Sequence, residues 1–315
     1  MKKIFLVILF LFFLIVSCQL KSINYIAQEK ILMDTIITIK IPDIKNNMEI
    51  FNEVFNEFAR IEKKFSKNSE ASIIWKINNR AETQTEFILD SEEKNIFEKS
   101  KYYHELTEGY FDITMFTLGQ FWNFTKSEDT NVPNILKKME ELKQYIGFEN
   151  IILSDTMVKL KNQKLKIDLG GIAKGYAIDR AVEILKNKNI QSAIINAGGD
   201  IFALGSKNFD DYWNIAIQHP LKESEYLKIL KLKNSAIATS GDYQRFVIFE
   251  NKKYCHIFNP KTSKNTQYYS SVTVVGNSAV ESDALATAIF AAENNGENLI
   301  KHLKKRIPNL EIYSY

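Results

Sequence analysis

The sequence predicts a mixed α+β architecture, with mixed or antiparallel sheets and flanking helices. Strand-like runs follow one another rather than alternating regularly with helices, as a doubly wound nucleotide fold would require. A few amphipathic helices lie between and around them. The 315 residues are 45% hydrophobic and 25% charged, with 12 Gly, 5 Pro and 2 Cys. That composition excludes disorder, collagen and disulfide scaffolds, and the length can bury a large core as one domain or two lobes. The 41 basic and 38 acidic residues leave a net charge of +3. Lysine-rich runs at 186–188 and 301–306 have Glu nearby and read as solvated faces, so no nucleic-acid partner is expected.

At the start, Lys2 and Lys3 precede an apolar run from Ile4 to Val16 that ends at Ser17 and Cys18. Thirteen apolar residues are too few to cross a bilayer, which needs roughly 20. The layout is that of a secretory signal. Ile15-Val16-Ser17-Cys18 resembles a bacterial lipobox in a permissive form. The expected organisation is therefore a signal peptide at 1–17, a lipidated Cys18 heading a tether at 18–30, and a folded domain at 31–315. Acyl chains such as palmitate would hold the mature protein in the bacterial cell envelope, on the periplasmic face of the inner membrane. Only Cys255 then remains as a thiol; in the strand-like run 254–258 it reads as buried and inert.

Further along, Ile31 to Ile41 alternates apolar and polar residues and predicts one strand, stopped by Pro42. Phe51, Val54, Phe55, Phe58 and Ile61 fall at helical spacing within 48–64. A second helix is expected over 92–105, and the polar stretch 125–134 reads as a loop or lobe boundary. Residues 151–158 and 164–168 predict strands and 176–186 a helix. Strands continue to about Val275, and a helix follows over roughly 282–293.

Glycine is scarce, about half the usual ~7%, yet Gly170, Gly171, Gly175, Gly198 and Gly199 crowd together. Each pair follows an expected strand, where a missing Cβ allows positive φ or close approach of a ligand. Asp168 to Gly175 also opens a helix whose free N–H groups favour phosphate, and Lys174 adds a positive charge. Two tight turns without any ligand would leave the same pattern. No GxxxxGK[ST] or GxGxxG occurs, so Walker-type and Rossmann phosphate loops are excluded. Asp283 and Thr287, four apart on an expected helix, project from one face and offer oxygens suited to a hard cation such as Mg²⁺. An acid near a helix start also arises simply as dipole complementarity. No HExxH, CxxC pair or clustered His supports zinc.

In order, the chain carries Met33-Asp34-Thr35, Phe65-Ser66-Lys67-Asn68 with Asn78 beyond, and Gly109 to Thr114 with Trp122. It continues through Ile167 to Tyr176, Ile195 to Asp200, Ala238 to Tyr243, His256 to Thr262, and Ser282 to Thr287. Taken together, these segments resemble the ApbE family, the FAD:protein FMN transferases, over roughly 33–315. The resemblance implies two lobes around a flavin cleft, and Mg²⁺-dependent transfer of FMN from FAD to a Thr or Ser of an acceptor protein, with release of AMP. It implies FAD contacts at Met33, Tyr110, Phe111, Asp112, Asp168, Lys174 and Ile257, with Asn68 also in the cofactor site. It further implies metal ligands at the Gly171 carbonyl, Asp283 and Thr287. An acceptor hydroxyl must lose a proton, and His256 is the first candidate base, Asp283 the second. The acceptor would be a flavin-carrying subunit of an envelope redox system.

Three positions depart from the family pattern. Asp34 and Ser263 stand where Gly is usual, and Asn68 where an aromatic, usually Tyr, is common. A smaller polar Asn68 could order water, which makes an Mg²⁺-dependent FAD pyrophosphatase giving FMN and AMP the close alternative. A non-catalytic FAD-binding lipoprotein is the third reading.

Overall fold

The computed structural model describes residues 23–124, 131–208, 211–222, 224–243 and 245–315. The expected signal peptide, Cys18 and residues 125–130 of the expected loop lie outside them. The strands are β1 (Tyr25–Leu32), β2 (Thr35–Pro42), β3 (Glu86–Ile88), β4 (Ile151–Leu153), β5 (Met157–Leu160), β6 (Ala193–Ala197), β7 (Asp200–Leu204) and β8 (Trp213–Gln218). They continue with β9 (Tyr226–Leu232), β10 (Ser235–Gly241), β11 (Phe246–Phe249), β12 (Lys252–Cys255), β13 (Phe258–Asn259), β14 (Lys264–Asn265), β15 (Ser271–Gly276) and β16 (Glu311–Ser314). The helices are α1 (Asn47–Phe65), α2 (Ile73–Asn78), α3 (Ser91–Leu106), α4 (Phe116–Gly119), α5 (Val132–Leu142), α6 (Ala173–Asn187), α7 (Ala279–Ala291) and α8 (Gly296–Arg306).

A seven-stranded sheet in the order β1-β2-β6-β7-β10-β15-β16 organises the molecule, and its neighbours pair antiparallel. Successive residues point to opposite faces of a strand. Ile195, Phe202, Ala236 and Val274 therefore join the core under α1, α6 and α7, while Ile194, Ala203, Ile237 and Val275 meet Trp213, Ile215 and Leu230 of the β8–β9 hairpin. A further cluster gathers Met115, Leu118 and Trp122 with α5 and with Val247 and Tyr254 of the β11–β12 hairpin. The mixed α+β expectation holds.

Several elements differ from the sequence reading. The strand expected over 31–41 is a hairpin: Leu32 pairs with Thr35, and Met33 and Asp34 form the turn with φ of 54° and 58°. The two-residue turn shifts the alternation by one: Leu32 shares the face of Ile37, Ile39 and Ile41, whereas Ile31 pairs with Ile36 on the exposed face. Asp34 and Ser263 (φ 58°) both adopt the left-handed backbone that Gly ordinarily serves. The sheet begins at Tyr25, so residues 25–30 of the expected tether belong to β1. Residues 151–158 divide between β4 and β5, and 132–134 of the expected loop already lie in α5.

The strand expected over 164–168 is extended but pairs with no other strand. Asn78 donates to the Ile167 carbonyl and accepts its N–H, both at 2.8 Å. Thr117 Oγ1 accepts the Lys166 N–H at 2.9 Å and donates to its carbonyl at 3.0 Å. The Asp168 N–H reaches the Ile113 carbonyl at 2.9 Å. Two side chains thus act as the missing ladder partner.

Helix α7 buries residues on every side of its circumference, Ser282 and Asp283 among them, and so lies inside the core. Its first N–H groups find a half-buried acceptor: the Asp179 carboxylate takes Ala279 N–H at 2.8 Å and Val280 N–H at 3.0 Å. Burial pushes the Asp179 carboxyl up to about 6 despite these bonds. Asp179→Ala leaves both donors without their partner and is expected to cost about 2 kcal/mol, read as a lower urea midpoint with an unchanged slope.

Candidate active site

The site lies where the start of α6, the middle of α7 and the ends of β7 and β10 converge. The Lys174 ammonium rests on Asp200 and stands 3.8 Å from Asp283 Oδ1. Asp283 is 4% exposed, and its Oδ2 accepts the Gly175 N–H at 3.0 Å. Burial raises the Asp283 carboxyl to about 6, with Asp200 adding to the rise and Lys174 opposing it. Burial works against the Lys174 ammonium, but the two carboxylates more than offset it and hold its pKa above the usual lysine range.

One helical turn beyond Asp283, Thr287 Oγ1 lies 3.3 Å from Ser240 Oγ. Thr287 also closes on the glycine segment. A Cβ placed on Gly171 would lie 3.1 Å from Thr287 Oγ1 and 3.3 Å from the Phe111 ring, so a side chain here would press tightly on both. Gly175 has a different role from the ligand approach suggested by its place in the cluster. A Cβ there would run into the Ala279 carbonyl, so this glycine serves the packing of α6 on α7. Gly198 and Gly199 form the β6–β7 turn with φ of 62° and 100°, and a Cβ on Gly198 would strike Thr35.

Asp168 sits at the end of the extended segment, where it accepts Lys67 Nζ at 2.7 Å and the Gly170 N–H at 3.0 Å. The same loop exposes Asn68, whose N–H bonds Ser66 Oγ at 3.2 Å. The Asp112 carboxylate is turned into the following 3₁₀ turn, accepting the Thr114 N–H at 2.8 Å and hydroxyl at 2.6 Å; burial raises its pKa. His104 Nδ1 donates to the Phe111 carbonyl at 2.9 Å, which fixes the backbone between Phe111 and Asp112. Tyr110 accepts from Asn295 at 2.9 Å and lies under Lys261, 5.6 Å from its ring centre. Met33 and Ile257 pack at the edge of the main core.

His256 is half-buried between β12 and β13, with its ring edge-on to Phe124. Its Nδ1 faces the Arg245 carbonyl at 3.3 Å; a carbonyl only accepts, so Nδ1 carries the proton and Nε2 the free lone pair. Burial, then the cationic Arg245 and Lys174, push the imidazole down to about 4, so it is neutral at pH 7. Cys255, beside it, is 1% exposed and bonded to Thr266, an inert thiol raised by burial.

Lys174, Asp283, Thr287 and Gly171, singled out in the sequence, are thus brought together. Lys67, Asp200 and Ser240 lie in segments noted in the sequence but were given no role there, and Arg245 lies outside them. Asp200 did have a signal: an acid directly after the second glycine pair, at the start of a strand.

The ApbE family model matches residues 33–310. The FAD:protein FMN transferase of Haemophilus influenzae is 26% identical, over 72% of this chain and 66% of that protein. That of Buchnera aphidicola from Schizaphis graminum is 28% identical, over 82% and 77%. The crystal structure of the ApbE protein of Thermotoga maritima superposes with a TM-score of 0.83 at 31% identity, covering 92% of this chain and 94% of that one. The Vibrio cholerae flavin transferase, 22% identical with a TM-score of 0.79 over 93% of each chain, shares the fold.

Proposed function

The chain belongs to the ApbE family, and from that membership we infer that it is a FAD:protein FMN transferase, moving FMN from FAD to a Thr or Ser of an acceptor flavoprotein and releasing AMP. One observation carries the reading. Lys174 and Asp283, more than a hundred positions apart, stand 3.8 Å apart against the glycine segment, an arrangement suited to a diphosphate.

Among the described residues no cluster of three or more His, Cys, Asp or Glu can hold a metal. A cation here would rest on a mixed set: the Asp283 carboxylate, the Thr287 hydroxyl and the Gly171 carbonyl. These are all hard oxygen donors, and Asp283 is a buried carboxylate that, among the described residues, has Lys174 as its one ion-pair partner besides its backbone bond. That set fits Mg²⁺, which takes one or two carboxylates and completes its shell with phosphate oxygens and water. Bound there, Mg²⁺ would neutralise charge on the diphosphate.

Lys174 binds the diphosphate and stabilises the charge that grows on the leaving phosphate. The acceptor oxygen forms a bond to the flavin-side phosphorus; the bridging P–O bond breaks, and AMP leaves with the electron pair. The hydroxyl proton passes to His256 Nε2, and the incoming anion raises this base by offsetting Lys174 and Arg245. Phe111, Tyr110 and Met33 offer the apolar and aromatic surface for the flavin. Anchoring through a lipidated Cys18 on the periplasmic face of the inner membrane would place the site beside envelope redox proteins, whose flavin-carrying subunit is the proposed acceptor.

Incubation with FAD, Mg²⁺ and an acceptor subunit tests the reading. Covalent flavin on the acceptor with stoichiometric AMP is expected; FAD left unchanged would contradict it. Because the Asp283 carboxyl is raised to about 6, protons compete with the cation below that pH. The half-saturating Mg²⁺ concentration should be flat above about pH 7 and climb toward tenfold per unit below about 6. Titrating Mg²⁺ in the FAD reaction across that range checks this.

Hydrolysis is the second reading, favoured by the exposed polar Asn68 on the loop that Lys67 ties to Asp168. Asn68→Tyr should lower free FMN relative to acceptor-bound FMN by several-fold; an unchanged product ratio removes Asn68 from the argument.

A further inference from the structure

Asp200 has no part in the chemistry above, yet it is buried and bonded at both carboxylate oxygens. It opens β7 directly after the Gly198–Gly199 turn, opposite Ala197 in the ladder. That turn is locked against the β1–β2 hairpin, with the Gly198 N–H on the Ile36 carbonyl at 3.1 Å and Thr35 filling the space a side chain would need. The Asp200 carboxylate is buried; Oδ1 accepts the Thr239 N–H of β10 at 3.1 Å, and Oδ2 holds the Lys174 ammonium.

One ammonium therefore lies between two buried carboxylates and rests on one of them. Its hydrogen bond goes to Asp200, while Asp283 Oδ1 is 3.8 Å away, beyond hydrogen-bond length. A lysine stem is flexible and its head seeks the nearest anion. With Asp200 neutral, Asp283 would be the only carboxylate in reach, and the ammonium would close on the oxygen that a cation needs. Resting on the cation assignment of Asp283 made above, we propose that Asp200 is a positioning residue that holds the Lys174 ammonium off Asp283 and keeps that carboxylate open to a divalent cation.

Asp200→Asn tests this without cutting the sheet contact, because the amide oxygen still accepts the Thr239 N–H. The probe is Mn²⁺, which takes the same oxygen ligands as Mg²⁺ and can be counted, without FAD, by loss of the free-ion electron paramagnetic resonance signal. Asp200→Asn should weaken Mn²⁺ binding about tenfold, in the range for residues that orient a metal ligand. The same substitution made on Lys174→Met should cost several-fold less, because no ammonium remains to fall on Asp283 and only the loss of the Asp200 charge is felt. If Asp200 acted only through its long-range negative charge, the two backgrounds would lose affinity equally, and the proposal would be overturned. Unaltered Mn²⁺ affinity in Asp200→Asn, with the parent chain binding normally, overturns it as well. A parent chain that binds no Mn²⁺, or binds it undiminished after Asp283→Ala, overturns both the cation assignment and this inference.

Discussion

Asp283→Ala is expected to reduce Mg²⁺-dependent AMP release from FAD by about 1000-fold or more, the scale on which loss of a transition-state charge stabiliser is felt. Two effects add. The only carboxylate of the proposed cation set is lost, leaving a hydroxyl and a backbone carbonyl too weak to hold a divalent ion alone. Lys174 also loses one of the two carboxylates beside it and is left with Asp200 alone. The Gly175 N–H loses its acceptor in the same change, so lower stability could mimic a catalytic loss. Asp283→Asn separates the two: its amide oxygen keeps the Gly175 bond while the charge is gone. Near-parent urea stability with activity as low as the alanine variant is expected, and Mg²⁺-stimulated turnover within tenfold of the parent would refute the assignment.

Lys174→Met is expected to lower kcat/KM for FAD by about 100- to 1000-fold. The ammonium serves both the bound diphosphate and the developing charge on AMP, so kcat and KM should both move. Removing it also leaves Asp200 and Asp283 facing each other without a counter-charge. A fully buried pair broken this way costs ~3–5 kcal/mol; here the Lys174 side chain is 31% exposed, and solvent reduces this to about 1–3 kcal/mol. The same variant should bind a divalent cation more tightly than the parent, because a positive charge 3.8 Å from the Asp283 carboxylate is gone. Activity falling while cation affinity rises is a pattern that general destabilisation does not produce.

The legible parts of this molecule were those set by local periodicity. Helix α1 follows its apolar spacing, and the four-residue interval from Asp283 to Thr287 does place both on one helical face toward the glycine segment. The illegible parts depended on partners distant in sequence. The 164–168 segment has the composition of a strand, but the side chains of Asn78 and Thr117 bond it, and no pattern within the segment could show this. Gly175 and Gly171 lie four residues apart in one motif, yet one meets the Ala279 carbonyl and the other Thr287 and Phe111, a distinction made by the packing of α7. The turn at Met33–Asp34 was hidden because only Asp34 is a usual turn former and no Gly or Asn accompanies it, although both residues adopt positive φ. Asp200 was missed because its role depends on Lys174, brought to it only when α6 packs beside β7.

Transfer from FAD requires a cation and Lys174 to grip one diphosphate between α6 and α7. Crystals grown with FAD and Mn²⁺ and measured at the manganese absorption edge test it most directly. The expected result is an anomalous peak within coordination distance of the Asp283 carboxylate and the Thr287 hydroxyl, with the FAD diphosphate against Lys174. A peak elsewhere, or FAD bound with its diphosphate away from both residues, would contradict it.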